Sequence, residues 1–131
     1  MSEVFKIDII NPSKTVFSEE ASMVKLPCFE GDMSILNNHI PIITFLRPGI
    51  IEIFKDNSLV SKFYVEDGLV EFNSNYLTVL TSISEDVKTI SLEKVKQMQA
   101  SAQEKIKEEN ISDDLRYVLN HKLDVLKNLG I

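Results

Sequence analysis

The stretch EGDMSILNNHIPIITFLRPG, from Glu30 to Gly49, holds half of the glycines and half of the prolines of this 131-residue chain. Pro41 lacks a backbone N–H, which disfavours a helix. The β-branched residues that follow it, Ile42 to Thr44, favour a strand. The stretch therefore predicts a polar turn, a strand edge, a buried strand over residues 40–46, and a second turn at Pro48-Gly49.

Short apolar runs lie on both sides of this stretch, separated by turn signals such as Asn11-Pro12-Ser13 and Asp56-Asn57-Ser58. They predict strands at Val4–Ile10, Lys14–Phe17, Ala21–Leu26, Ile50–Lys55, Leu59–Val65, Leu69–Phe72 and Tyr76–Leu80. We expect Pro27 to end the third of them. Turn signals every eight to twelve residues are typical of an antiparallel sandwich or barrel.

The pattern changes near Ser84, after which apolar residues recur at spacings of three and four. Two amphipathic stripes result, Leu92, Val95, Met98, Ala102 and Ile106, and then Leu115, Val118, Leu119, Leu123 and Leu126. Ser91 and Ser112 are suitable N-caps, and Gly130 is a suitable C-terminal cap. Because about three residues join the two helices, they must run antiparallel. The fold class is α+β, with an N-terminal antiparallel β-sandwich (1–86) followed by a C-terminal antiparallel α-helical hairpin (87–131).

Composition bounds the class of protein. With 44% apolar residues the chain can bury a core, and its net charge of −6 gives it no general attraction to nucleic acid or anionic lipid. The charge is uneven, because residues 1–84 carry eleven acidic and six basic side chains while residues 85–131 carry nine and eight. The β part is thus the acidic part, and we expect no nucleic-acid partner.

The N-terminus has neither a basic segment nor a long apolar one, so no secretory signal is predicted, and no window is apolar enough to span a bilayer. Intact Met1 without a transit peptide favours a bacterial or plastid-encoded product. Cys28 is the single cysteine. We interpret it as a small buried side chain rather than a reactive thiol, since no histidine lies close in sequence to activate it.

The sequence contains no glycine-rich phosphate loop, no metal-ligand spacing and no nucleophile elbow. Acidic pairs such as Glu66-Asp67 and Asp113-Asp114 fit solvated turns and helix starts. No catalytic residue, metal or cofactor is therefore predicted, and the chain is interpreted as an interaction subunit rather than an enzyme.

His39 and the helical hairpin each allow more than one interpretation. His39 either hydrogen-bonds the backbone of its turn or makes a polar contact with a partner, and catalysis is a weaker third option because no acid, base or nucleophile accompanies it. The helical hairpin either docks permanently on the sandwich or forms a detachable arm. Two short helices are marginal alone in water, so the hairpin must dock on something.

The opening stretch resembles the core motif of the epsilon subunit of F-type ATP synthases, which is called delta in mitochondria. Six residues match that motif: Gly31, His39, Pro41, Thr44, Pro48 and Gly49. A second segment, EDGLVEFNSNYLTVLTS (66–82), is also similar, as is the order of sandwich and hairpin. Ser34 and Asn37-Asn38 depart from the family pattern of glycine and Pro-Gly. Asn tolerates left-handed backbone geometry, so the turn can persist.

The resemblance implies a non-catalytic rotor subunit of the central stalk, which links the gamma subunit to the membrane c-ring. It maps Glu30, Gly31, Asp32 and His39 onto loops facing the c-ring. Some members bind ATP through a motif at the start of the first helix. Here Glu93 and Lys96 replace the Asp and Arg of that motif, and lysine lacks the planar fork of arginine. We expect weak ATP binding or none.

In several members the hairpin extends along gamma and brakes ATP hydrolysis through basic residues of the second helix. The corresponding residues here are Arg116, Lys122 and Lys127, with alpha and beta subunits as further possible partners. Nearby aspartates offset these charges, so we expect weak inhibition at most. The implied location is peripheral, on the cytoplasmic face of the bacterial inner membrane or the equivalent organelle face. The competing interpretation is a free-standing β-sandwich adaptor that binds a protein through its sheet edge.

Overall fold

The computed structural model describes residues 3–129, which form ten strands, one short 3₁₀ helix and two α-helices. The strands are β1 (Phe5–Asn11), β2 (Lys14–Ala21), β3 (Met23–Cys28), β4 (Gly31–Leu36), β5 (Ile42–Leu46), β6 (Gly49–Lys55), β7 (Ser58–Val65), β8 (Gly68–Asn73), β9 (Tyr76–Leu80) and β10 (Ser84–Asp86). The 3₁₀ helix (Val87–Thr89), α1 (Leu92–Ile106) and α2 (Asp113–Leu129) follow. The predicted fold class is confirmed. The division at residues 86 and 87 into separately folding domains stays a prediction.

The strands pair in the order β10-β7-β6-β3-β5-β8-β9-β1-β2, and β4 pairs with β3 off this path. The pairings are antiparallel apart from β1 with β9, which is parallel. The sandwich is thus antiparallel as predicted, with this one parallel pairing among the described strands as an addition. A tight turn forces two strands antiparallel, but β1 and β9 are joined by most of the sandwich, so no turn constrains their direction. The sequence also gave no sign of β10.

The predicted end of the third strand at Pro27 is wrong. β3 continues through Pro27 to Cys28, and the preceding strand β2 is longer than expected. β3 pairs with β6 over Met23–Lys25 and with β5 at Cys28. Pro27 lies between these two pairings. Neither β5 nor β6 pairs with Pro27, so its missing N–H removes no hydrogen bond to those strands. β3 therefore joins the two halves of the sandwich, which are β10, β7 and β6 on one side of it and β5, β8, β9, β1 and β2 on the other.

The sandwich core lies between the two halves and draws on nearly every long strand. Seventeen of the described residues form one fully buried cluster, which includes Ile7, Val24, Ile53, Phe72 and Cys28. Cys28 is 1% exposed, and burial raises the pKa of its thiol. The interpretation of Cys28 as a small buried side chain is confirmed.

The prediction of a buried strand over residues 40–46 is only half right. β5 buries Leu46, but Ile43 is 67% exposed, Phe45 63% and Ile40, just before the strand, 73%. Side chains alternate between the two faces of a strand, so an apolar run places apolar groups on both. One face of β5 meets the core, and no described part of the chain covers the other.

Each helix of the hairpin begins where its N-capping residue predicts. The Ser91 side chain accepts from the backbone N–H of Lys94, and the Ser112 side chain accepts from that of Leu115. Gly130, the expected C-terminal cap, lies outside the described residues. Two residues of the predicted stripes are exposed rather than buried or half-buried: Leu92 is 53% exposed and Leu115 is 40% exposed. Each lies in the first turn of its helix, at the margin of the packed surface.

Candidate functional site

An exposed apolar row crosses four neighbouring strands on the outer face of the sandwich. Phe45 of β5 pairs with Leu69 of β8, Leu69 with Leu80 of β9, and Leu80 with Ile10 of β1. Leu69 is 36% exposed and Leu80 45%, and Ile10 is half-buried. We call these four residues the apolar band. An antiparallel sheet with one solvated face normally shows polar residues there, so the band is a departure that needs a cover.

The same face becomes polar beyond the band. The row two residues further along each strand contains Ile43, Glu71, Thr78 and Asp8. Asp8 accepts hydrogen bonds from the hydroxyls of Ser18 and Tyr76, and these bonds lower the pKa of its carboxyl. Apart from Ile43, which is 67% exposed, the apolar side chains of these two rows thus lie in the band.

An open groove of about 720 Å³ lies at the β5 end of the band. Phe29, Phe45 and Leu69 form its apolar walls, and Glu30 and Asp67 contribute carboxylates to its rim. Asp67 is fixed because its Oδ1 accepts from the backbone N–H of Ser82 at 3.0 Å and from the Ser82 hydroxyl at 2.8 Å. The groove suits an apolar segment whose flanks are basic.

The residues that the resemblance maps to the c-ring do not form one cluster. Glu30, Gly31 and Asp32 lie at the start of β4, whereas His39 follows its other end, six strand residues away. Asp32 is exposed and pairs with Arg47 at 2.8 Å, and the Arg47 side chain is only 13% exposed. Gly31 has a φ of 141°, which favours glycine at this turn.

His39 is held by its own turn. Its backbone N–H donates to the carbonyl oxygen of Leu36 at 3.1 Å, and its Nδ1 lies 2.7 Å from the carbonyl oxygen of Ile40. The ring meets the buried ring of Phe72 edge-on, with centroids 5.9 Å apart. These contacts match the first interpretation of His39, a side chain that hydrogen-bonds turn backbone.

The hairpin docks on the sandwich through a small second core. Tyr64 of β7, Val95 of α1 and Leu126 of α2 are its fully buried members. Burial, followed by the neighbouring Glu66 carboxylate, raises the pKa of the Tyr64 hydroxyl strongly. At the border of this core the Tyr117 ring packs on that of Phe29, with centroids 4.7 Å apart, and the Tyr117 hydroxyl donates to the Phe29 carbonyl at 2.5 Å. The structure thus shows a docked hairpin.

The three basic residues of α2 have different surroundings. Lys122 faces the sandwich and pairs with Glu66 at 3.0 Å. Arg116 is exposed, and its guanidinium lies 3.4 Å from the carbonyl oxygen of Ile106 at the end of α1. Lys127 is exposed in the last turn of α2. In the docked hairpin, therefore, the trio does not present one basic surface.

The residues aligned with the ATP motif, Glu93 and Lys96, are exposed in the first turns of α1. Between them, Lys94 turns back to pair with Glu85 of β10. Within residues 3–129, the His, Cys, Asp and Glu side chains form no group of three or more that could hold a metal ion. No helix in that part of the chain is both long enough and apolar enough to cross a membrane.

Sequence reasoning missed the apolar band and the docking role of Glu66. A signal for the band was present, because Ile42 to Leu46 is apolar on both faces of the strand apart from Thr44. In an antiparallel sheet such a run indicates that both faces are covered. The partner of Glu66 had no local signal, because Lys122 lies 56 positions further along the chain.

Comparison with known proteins agrees with the fold and the motif. Residues 4–87 match the family model described as ATP synthase, Delta/Epsilon chain, beta-sandwich domain. The ATP synthase epsilon chain of Pelagibacter ubique is 47% identical over 131 residues, covering 99% of this chain and 100% of the relative. The epsilon chain of Parvibaculum lavamentivorans is 32% identical and covers 98% of this chain and 97% of its own.

Two solved structures share the architecture. A chain of the Euglena gracilis mitochondrial ATP synthase (OSCP/F1/c-ring, rotational state 1) superposes with a TM-score of 0.74 at 17% identity, over 96% of this chain and 79% of that one. A chain of the Tetrahymena thermophila mitochondrial ATP synthase central stalk and c-ring gives 0.68 at 15% identity, over 99% and 98%. At these identities the structures support the fold alone. The family model and the full-length relatives show more: this chain belongs to the family of ATP synthase epsilon chains, which are non-catalytic subunits of that complex.

Proposed function

We propose that this chain is a central-stalk subunit of a proton-translocating F-type ATP synthase and links the gamma subunit to the c-ring. The observation that carries the proposal is the apolar band, which no described part of the chain covers. Its residues on β5, β8 and β9 are 36–63% exposed. Both solved structures named above contain a c-ring, and the Tetrahymena structure is of the central stalk and c-ring, which supports the same arrangement here.

The apolar band and its groove are the proposed gamma surface. Removing apolar side chains such as Phe45 and Leu69 from water favours association by roughly 25 cal/mol per Å². The groove rim is acidic at Glu30 and Asp67. We therefore expect the contacting part of gamma to carry aliphatic side chains flanked by lysine or arginine. The carboxylates then align gamma on the groove and raise the rate of association, whereas the apolar contacts provide most of the affinity.

The acidic turn at Glu30, Gly31 and Asp32 is the proposed contact with the c-ring loops. Glu30 also lines the groove beside the band, whereas Asp32 lies outside that groove, so the turn extends the proposed partner surface beyond the band. His39 lies at the other end of β4 and is engaged by its own turn. The proposed rim is therefore narrower than the resemblance implied and excludes His39.

The hairpin is proposed as a detachable arm with a weak regulatory effect on ATP hydrolysis. Its attachment core is small, and its exposed basic residues Arg116 and Lys127 are offset by Asp113 and Asp124. We propose alpha and beta subunits as its partners after release. The subunit itself is peripheral to the membrane through the complex, on the cytoplasmic face of a bacterial inner membrane or the equivalent organelle face.

Co-purification with gamma tests the proposal. Phe45→Glu places a charge in the middle of the band, and its burial against gamma should lower the affinity by about 2 kcal/mol, or roughly thirtyfold. Leu59→Glu is the matched control, because Leu59 is an exposed leucine (43%) on β7, outside the band. It should leave gamma binding unchanged. Equal retention of gamma by both variants would refute the band as its surface, and no retention by the parent chain would favour the free-standing adaptor.

A further inference from the structure

Glu66 lies in the turn between β7 and β8 and touches both parts of the molecule. Its Oε2 accepts a hydrogen bond from the Tyr64 hydroxyl at 2.9 Å and lies 3.0 Å from Nζ of Lys122 on α2. Tyr64 is completely buried. We call these three residues the Glu66 bridge. One carboxylate oxygen thus joins a core tyrosine of the sandwich to a cation of the hairpin.

The Glu66 bridge is more protected from water than the other ion pair that connects the hairpin to the sandwich. The Glu66 and Lys122 side chains are 22% and 20% exposed, whereas Glu85 and Lys94 are 28% and 47% exposed. Charges attract more strongly where solvent screens them less. A hydrogen bond to a charged group also contributes more than a neutral one. The bridge should therefore outweigh the outer pair.

The bridge matters because little else attaches the hairpin. The docking core has three fully buried members among the described residues, against seventeen in the sandwich core. Docking also has to offset the ordering of two short helices, which are marginal alone. A partly buried ion pair that loses one partner leaves the other charge uncompensated, which is a large penalty on this scale.

We infer that Glu66 is the residue that holds the hairpin in its docked position, and that it does so by pairing with Lys122, the lysine of α2 that faces the sandwich. Lys122 is neutralised by Glu66 while the hairpin is docked, and only release makes its ammonium group available. An acidic partner surface that binds Lys122 must therefore compete with Glu66. The inference rests on the proposed detachable arm, and it adds the residue that sets how readily the arm leaves.

Hydrogen exchange on the full-length chain tests this directly. Glu66→Gln keeps the size of the side chain and an acceptor for Tyr64 but removes the charge. We expect amides of α2 (Asp113–Leu129) to exchange at least about tenfold faster, since the variant loses the charge-assisted hydrogen bonds of the bridge. Amides of β1 should keep their protection. Glu71→Gln is the matched control, because Glu71 is exposed on the outer face of β8.

Lys122→Met, which preserves the aliphatic stem, should reproduce the effect, and the double variant Glu66→Gln/Lys122→Met should add little to either single change. Equal exchange of α2 in Glu66→Gln and Glu71→Gln overturns the bridge. If α2 exchanges only together with β1 in every variant, the hairpin does not leave separately, and that result overturns the arm as well. Neither result bears on the proposed gamma surface, because co-purification of gamma with Phe45→Glu tests that surface separately.

Discussion

The sandwich and the hairpin differ in the size of the apolar core that holds each of them in place. The sandwich encloses a continuous cluster of seventeen fully buried residues drawn from both of its halves. The hairpin buries Val95 and Leu126 against Tyr64, and it buries Ala102 and Leu119 as well. Partly buried apolar side chains pack against that small core, and the hairpin adds polar and aromatic contacts with Glu66, Glu85 and Phe29 on the sandwich side.

This contrast has a physical consequence. Local opening follows the regions with the fewest buried apolar contacts, so α1 and α2 should open at lower free energy than the strands. The sandwich does not need the hairpin to complete its core, because none of the seventeen residues of that cluster belongs to α1 or α2. A rigid platform with a separable arm results. The predictions below measure the two regions separately.

The largest effect is expected in the sandwich. Phe72 is 1% exposed and meets Phe5 edge-on, with ring centroids 5.5 Å apart. Phe72→Ala should lower the free energy of unfolding by about 3–5 kcal/mol, because it leaves a cavity between the two halves of the sandwich. Urea denaturation followed by circular dichroism measures this, and the hairpin should be lost in the same transition. Phe54→Ala is the control, since Phe54 is half-buried outside the core cluster, and an equal loss there would contradict the assignment of the core.

A smaller and local effect is expected in the hairpin. Leu126 is 0% exposed at the docking core, and Leu126→Ala removes at least about 2 kcal/mol of packing. Because the sandwich is expected to stay folded when α2 leaves, the loss should appear as faster amide exchange in α2, by roughly thirtyfold or more, with little change in β1. Leu115→Ala on the same helix is the control, since Leu115 is 40% exposed. A matching drop in β1 protection would show that the two regions unfold as one unit.

Local signals allowed much of this architecture to be predicted from the sequence. Ser91 and Ser112 cap the helices because an N-cap needs only its own hydroxyl and a backbone N–H three residues away. The tolerance of the Asn37-Asn38 turn is confirmed too. Asn38 adopts a φ of 67°, and its Oδ1 accepts from the side-chain amide of Asn75 at 3.0 Å.

Features that depend on distant pairing could not be predicted in the same way. Nothing in β1 alone says that β9 will lie parallel to it, and nothing near Glu66 points to Lys122. The outward position of Phe45 illustrates a different limit. The apolar run was interpreted as a buried strand, which is right for one face only, because a sequence does not say whether its own chain covers the second face.

The smallest expected effect concerns pH and the α2 face that packs on the sandwich. His121 meets Tyr117 edge-on, with centroids 4.5 Å apart, and it lines a groove with Arg47, Asp32 and Asp124. The other charged groups of that groove are Lys25 of β3 and Glu52 of β6. Burial, followed by the positive charge of Arg47, lowers the pKa of the His121 imidazole below its usual value, and the two aspartates oppose that shift in part. A proton on His121 is therefore less favourable when the hairpin is docked than when it is released.

The sign of the pH dependence follows from that difference. The released state binds more protons near the ordinary histidine pKa of about 6.5, so the stability of the docked hairpin should be fully present above that value and fall as the pH drops through it. Exchange of α2 amides, corrected for the intrinsic rate, should accelerate between about pH 7.5 and about pH 5.5 in the parent chain. His121→Gln should reduce this acceleration, because the remaining charged groups of the groove are common to both proteins. An unchanged dependence in His121→Gln would show that carboxylates rather than the imidazole control release, and it would leave the Glu66 bridge as the main polar control of docking.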